Sequence, residues 1–212
     1  MSNDFVKQRV NRLNDDVVRF KNAICAYAMT DATRYPENFE SIGLEMAMKA
    51  EAIACSTRNI VSVYPAGIRK KVLQTAVDSQ GIQVNRTNTG FEIIMPGLMP
   101  KRSGRNNAAF IIEPLCFALE EFTKEHFIER YDHAMIWFIY EYGEDTPARH
   151  IRDYDNLEAK EVLDVVNTFF LIDDSGEHCE LHYSTRRGLR DCTRIIISED
   201  IGLFSCPKKE KI

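Results

Sequence analysis

Apolar residues recur in steps of four and three near the start of the chain: Val6, Val10, Leu13, Val17, Phe20, Ile24 and Tyr27. This is an a/d stripe over about three heptads, and it predicts a helix over residues 4–29. Two arrangements satisfy it, a dimerising coiled coil or an antiparallel hairpin with the next helix. The hairpin is the expectation, because Phe39, Ile42, Met46, Ala50 and Ile53 give residues 37–57 a matching period. The connection, Arg34-Tyr35-Pro36, places proline where a helix tolerates it, at its first turn. A third helix is predicted over 65–80, with Ile68, Val72, Leu73, Ala76 and Val77 apolar, Arg69-Lys70-Lys71 basic, and Gly81 as its stop. Two short strands follow, Ile82–Val84 and Phe91–Met95, around the turn signal Asn88-Thr89-Gly90. Helices followed by a hairpin also occur in winged DNA-binding units, although three amphipathic helices more often simply pack together.

The candidate chemistry lies in a later stretch, from His150 to Tyr183. Its centre reads Arg152-Asp153-Tyr154-Asp155-Asn156, then an apolar-periodic run (Leu157, Val162, Val165, Val166, Phe169), then Ile172-Asp173-Asp174-Ser175. Asp155 or Asn156 can cap the predicted helix, since a short side-chain oxygen accepts from the free N–H groups of the first turn. In an extended run Asp153 and Asp155 would point the same way. A helix of about 13 residues is about 20 Å long, so Asp173 or Asp174 returns to Asp153 only if the fold brings the chain back. Acidic loops at the two ends of a surface helix account for the same residues without any site.

The order D-x-D-N, helix, D-D resembles the RusA family of Holliday-junction resolvases. In that family three such aspartates bind Mg²⁺ and the enzyme cuts DNA. Residue by residue, Asp153, Asp155 and Asp174 match the metal-binding positions, with Asp173 the neighbouring acidic alternative. Arg152 stands where the family has a basic residue. The family's lysine position, three after the Asn, is Ala159 here, and Lys160 follows one residue later, as Asp164 is also shifted by one. Lys160 would neutralise phosphate charge in the transition state. Phe91–Gly97 with Pro100-Lys101-Arg102 resembles the family's first strand and basic loop. Residues 113–130 would be its first helix, 134–141 the strand before the motif, and 178–184 and 192–198 further strands. The likeness covers residues 90–199. It implies an α+β fold: a RusA-like small mixed sheet with two helices, preceded here by an all-helical region. The expected division is a helical region 1–88, a nuclease domain 89–200 and a tail 201–212.

Charge bears on this reading. The chain carries a net −5, which does not favour a DNA-binding protein. Residues 1–88 hold 12 basic and 9 acidic side chains, and residues 89–212 hold 15 and 23. DNA contact would then rest on local patches, above all the loop of Lys101, Arg102 and Arg105, where Arg forks onto phosphate oxygens. Clustered carboxylates need a proton or cation, and hard oxygens select Mg²⁺ or Mn²⁺. His178, Cys179, His182 and Cys192 lack the spacing of a closed zinc site. Glycine-rich nucleotide loops and hydrolase triads are missing from the sequence, so no nucleotide cofactor is expected. No apolar run approaches the ~20 residues of a membrane span, no signal pattern is present, and six scattered cysteines fit reduced thiols; a cytoplasmic protein is expected. The expected function is a Mg²⁺-dependent endonuclease for branched DNA, acting as a homodimer. The alternative is a RusA-like DNA-binding or assembly module with weak or no cleavage.

Overall fold

Val6, Leu13, Phe20 and Tyr27, spaced by seven, share one side of α1 (Asn3–Met29), and that side packs against α2 (Pro36–Val61). The computed structural model describes residues 3–61, 66–97, 99, 108–148, 151–157, 159–173 and 175–199. The turn between α1 and α2 is held by Asp31, whose Oδ1 accepts from the backbone N–H groups of Thr33 and Arg34 at 2.9 and 3.1 Å. Beside it Tyr27 stacks on Phe39 with centroids 4.1 Å apart. Gly43 passes so close beneath Tyr27 that a Cβ there would lie 3.0 Å from the ring. The hairpin is therefore formed. It does not use the whole predicted stripe, because Val10, Val17 and Ile24 stay exposed.

The chain divides into two compact units, residues 1–73 and 74–212, and the division falls inside α3 (Ala66–Gln80). This helix ends as the sequence predicts. Gly81 takes φ +64°, its N–H donates to Asp78 O at 3.1 Å, and Ile82 N–H donates to Val77 O at 3.2 Å. Crossed bonds of this kind satisfy the last carbonyls of a helix.

The second unit is α+β. Strands β1 (Gln83–Arg86), β2 (Gly90–Pro96), β3 (Ala134–Gly143), β4 (Cys179–Gly188) and β5 (Cys192–Ser198) form one mixed sheet in the order β1-β2-β5-β3-β4. Only the β3–β4 pair is parallel. The hairpin β1–β2 is part of this sheet, since β2 pairs with β5 along its whole length. A free-standing wing is thereby excluded. Gly90 has no substitute at its place: φ is +154°, and a Cβ would come within 2.0 Å of Ile197 O.

Two helices, α4 (Ala109–Glu125) and α5 (Lys160–Phe170), cover one face. Phe91 of β2 meets Phe122 of α4 at 6.1 Å and Phe170 of α5 at 4.8 Å. Beneath them lie Ile93, Met95, Ile136, Phe138, Tyr140, Ile195 and Ile197, all fully buried. This alternation is what period-two side chains require of a sheet covered on one face. The opposite face carries Glu92, Trp137, Glu141, Arg186 and Arg194. No described helix is long and apolar enough to cross a membrane.

Candidate functional site

The D-x-D run is built around Tyr154. Residues Tyr154–Asn156 form a single 3-10 turn, with Asp153 extended before it (φ −68°, ψ 147°). The run is thus not an extended one, and the same-side argument for Asp153 and Asp155 does not apply. Tyr154 lies over the sheet instead. Its ring packs on Tyr183 of β4 at 5.5 Å and on Tyr140 of β3 at 5.9 Å, and its hydroxyl accepts from Thr185 Oγ1 at 3.1 Å. Tyr140 and Tyr183 are themselves nearly parallel, 6° apart, and Phe138 continues the stack at 5.7 Å from Tyr183. Burial pushes the Tyr140 hydroxyl well above the usual tyrosine range. With Tyr154 turned toward the sheet, Asp153 and Asp155 on either side are left in solvent. Neither has a hydrogen-bond or ion-pair partner among the described residues.

Arg152 anchors the same segment. Its N–H donates to the Tyr142 hydroxyl at 3.0 Å, and its guanidinium donates to Met99 O at 3.2 Å. It is half-buried and engaged with the protein rather than displayed for DNA. Lys160 is exposed and forms an i,i+4 pair with Asp164 at 3.2 Å. The residue that begins α5 is not Asp155 or Asn156 but Ala159, which makes no side-chain cap. The buried face of the helix is also turned from the predicted one: Val162, Val166 and Phe170 are fully enclosed, while Phe169 is half-buried.

Asp173 lies elsewhere. After α5, Leu171 bridges Tyr131, with Ile172 N–H donating to Tyr131 O at 3.1 Å. Tyr131 precedes β3, whereas Tyr154 sits against the later half of that strand. Asp153 and Asp155 therefore stand at one end of α5 and Asp173 at the other, about 16 Å apart at 1.5 Å per residue over 11 residues. The Oδ1 of Asp173 accepts from Ser175 N–H at 3.2 Å. Asp174, Lys101, Arg102 and Arg105 lie outside the described residues. Among those described, no group of three His, Cys, Asp or Glu side chains is placed to hold a metal.

A charge network on the opposite sheet face is not evident from the sequence. Glu141 accepts from Arg186 Nε at 2.7 Å, Arg194 Nε at 2.9 Å and Cys192 Sγ at 2.7 Å. Arg194 also reaches Glu92 at 2.7 Å. Burial alone would raise the Glu141 carboxyl, but the three donors outweigh it and hold it down to about 2. Burial and the neighbouring carboxylate push the Cys192 thiol up to about 11, so it stays a protonated donor rather than a nucleophile. Residues of the zinc-like set are thus occupied separately: His178 Nδ1 lies 2.6 Å from Asp132 O, and Cys192 serves Glu141.

The model of DUF6100, a family of unknown function, matches residues 2–204. The chain belongs to the DUF6100 family. No curated protein matches it. The match takes in both units of this DUF6100 chain, the helical hairpin as well as the sheet.

Proposed function

We propose that the sheet unit of this DUF6100 protein is a RusA-like, Mg²⁺-dependent endonuclease that hydrolyses phosphodiesters in branched DNA such as Holliday junctions. The observation behind this reading is the pair of exposed carboxylates, Asp153 and Asp155, without partners among the described residues, on a turn fixed between strand β3 and helix α5. That is the order strand, D-x-D-N, helix on which the resemblance rests. Two hard-oxygen donors suit Mg²⁺, which commonly takes one or two carboxylates and completes its shell with water and substrate phosphate. Asp153 and Asp155 would hold the ion; the resemblance adds Asp174, which neighbours Asp173 in sequence beyond α5 and so would reach that ion from a second copy of the chain. When bound, such an ion supplies a positioned water and offsets charge on the phosphate.

The protein's own residues have separate tasks. Tyr154 keeps the turn in register through its ring stack, and Arg152 ties the segment to the ends of β2 and β3. Lys160 is exposed on the first turn of α5 and can exchange Asp164 for a phosphate oxygen. Lys101, Arg102 and Arg105 would hold the DNA backbone. The resemblance also implies a homodimer, since paired cuts across a junction suit a two-fold enzyme.

One observation favours the alternative, a RusA-like DNA-binding or assembly module. Asp173 stands a helix-length from Asp155, so it cannot join Asp153 and Asp155 on one ion within a chain, given Mg²⁺–oxygen distances of about 2.1 Å. A cleavage assay on four-way junction DNA with and without Mg²⁺ separates the two. Metal-dependent nicking lost in Asp155→Asn supports the nuclease. Binding without cleavage by either protein supports the module.

A further inference from the structure

The turn that carries Asp153 and Asp155 also displays an aromatic ring between them. Tyr154 is 39 % exposed, although its ring is held in place. It lies against Tyr140 and Tyr183 at 5.9 and 5.5 Å, its plane 27° and 20° from theirs. Those two rings are 6° from parallel, and the pairing of β3 with β4 keeps them neighbours. Tyr140 is fully buried and anchors the group. Thr185 Oγ1, at 3.1 Å from the Tyr154 hydroxyl, fixes the far end of the ring. The backbone is tied as well, since Arg152, two residues earlier, is bonded to Tyr142 and Met99. Single exposed aromatic residues are ordinary. Tyr154 differs in that the exposed ring is already ordered, and an ordered ring loses little freedom when something stacks on it.

We propose that the open side of Tyr154 stacks on an unpaired base next to the phosphate held at Asp153 and Asp155, so that the preferred substrate is branched DNA with an unpaired nucleotide at the branch, as in a flap or a gapped junction. This rests on the nuclease reading, which puts a phosphate at the flanking carboxylates. Consecutive Cα atoms are about 3.8 Å apart, and nucleotides of one strand follow each other at about 3.4 Å. A ring between the two carboxylates is therefore within reach of the nucleotide whose phosphate they hold. The base must be unpaired, because extruding one from a duplex costs its pairing and stacking. The contact is also neutral. Residues 89–212 hold 15 basic and 23 acidic side chains, so stacking adds affinity where backbone contacts are opposed by charge. Every base has a π-face, and the contact carries little sequence preference.

Photo-crosslinking of the wild-type chain tests it, with Mg²⁺ present. The probes are DNAs carrying 5-iodouracil, unpaired at the branch of a flap or gapped junction, or paired within a linear duplex. Mass spectrometry should find the unpaired probe attached at Tyr154, and the duplex probe attached there roughly tenfold less or not at all. In competition binding, Tyr154→Leu should lose roughly tenfold in affinity for the flap, and Tyr154→Phe, which keeps the ring, should restore most of it. If Tyr154→Leu does not fold, the cross-link and Tyr154→Phe decide. Attachment only at other residues, or equal attachment from the duplex, overturns the proposal. A Tyr154 cross-link without metal-dependent cleavage removes the nuclease reading and leaves the stacking contact. Cleavage lost in Asp155→Asn with no Tyr154 cross-link removes the stacking contact alone. Absence of any DNA binding overturns both.

Discussion

Glu141 shows how far one side chain can be tuned by its neighbours. Its carboxyl is depressed from 4.5 to about 2 by Cys192, Arg194 and Arg186, against the effect of burial. A carboxyl depressed on folding contributes stability that is complete above its unfolded value and is lost as pH falls toward the folded one. The Glu141 contribution should therefore be intact above about pH 4.5 and gone near pH 2. It amounts to roughly 3 kcal/mol at most, since each tenfold change in acidity is worth about 1.4 kcal/mol, less the cost of burying the charges. Comparing urea unfolding of wild type and Glu141→Gln across this range checks the sign: the gap between them should narrow as pH falls, and an unchanging gap would deny the network its ionic character. Gly90→Ala should also destabilise, by more than about 1–3 kcal/mol, because backbone strain is joined by a clash with Ile197 O; a melting temperature within about one degree of wild type would refute this, since a loss of that size moves it by several degrees. At this scale the sequence made Asp153 and Asp155 visible as a pair. It did not reveal the tyrosine between them as the anchor, because a Tyr140–Tyr154–Tyr183 stack depends on which strands are neighbours.

Each element has to satisfy its own polar groups. Pro114 lies inside α4 and has no N–H for the Phe110 carbonyl four residues earlier. Gln80 supplies the missing donor, its Nε2 reaching Phe110 O at 2.9 Å. Gln80→Ala should cost about 1 kcal/mol, the net worth of the hydrogen bond it removes, and a neutral result in thermal unfolding would show that water replaces it. In α5 the opposite holds. Asn167 is 7 % exposed and neither polar atom of its side chain has a partner among the described residues. Asn167→Leu should stabilise the sheet unit by about 1 kcal/mol or more, as removal of a buried unpaired amide does; a loss of stability would mean that the amide holds a bond in solution. The same elements show which boundaries were legible. Periodicity locates α1 and α3 to within a residue or two, because their apolar positions face one packed surface, while the bounds of β5 come from the resemblance. The resemblance sets the first helix at 113–130, whereas α4 runs Ala109–Glu125, and Gln80, which lets Pro114 stand inside the helix, is 30 residues away. The parallel pairing of β3 with β4 was not legible, because the strand residues that carry the pairing say nothing about direction.

For the whole molecule the governing quantity is charge. Residues 89–212 hold 15 basic and 23 acidic side chains, so the sheet unit repels phosphate unless a cation offsets its carboxylates. This sets an expectation about metal and mutation together. Without Mg²⁺, Asp153→Asn and Asp155→Asn should bind junction DNA as well as or better than wild type, since each removes a negative charge near the phosphate. With Mg²⁺ the order should reverse, because the variants lose a ligand that the ion needs. Any cleavage should vanish in both. Mg²⁺ should raise the melting temperature of the wild type, as a ligand of the folded state alone does, and the rise should shrink in Asp155→Asn. Lys160→Ala should be milder, for Lys160 is an exposed side chain already paired with Asp164. Gel-shift titrations and melting curves with and without Mg²⁺ make the comparison. Asp173→Asn gives the sharpest contrast: lying a helix-length away, it should leave the Mg²⁺-dependent melting shift unchanged if one chain builds the site from Asp153 and Asp155. If Asp173→Asn removes the shift as fully as Asp155→Asn does, the two ends of α5 must meet on one ion across two copies of the chain.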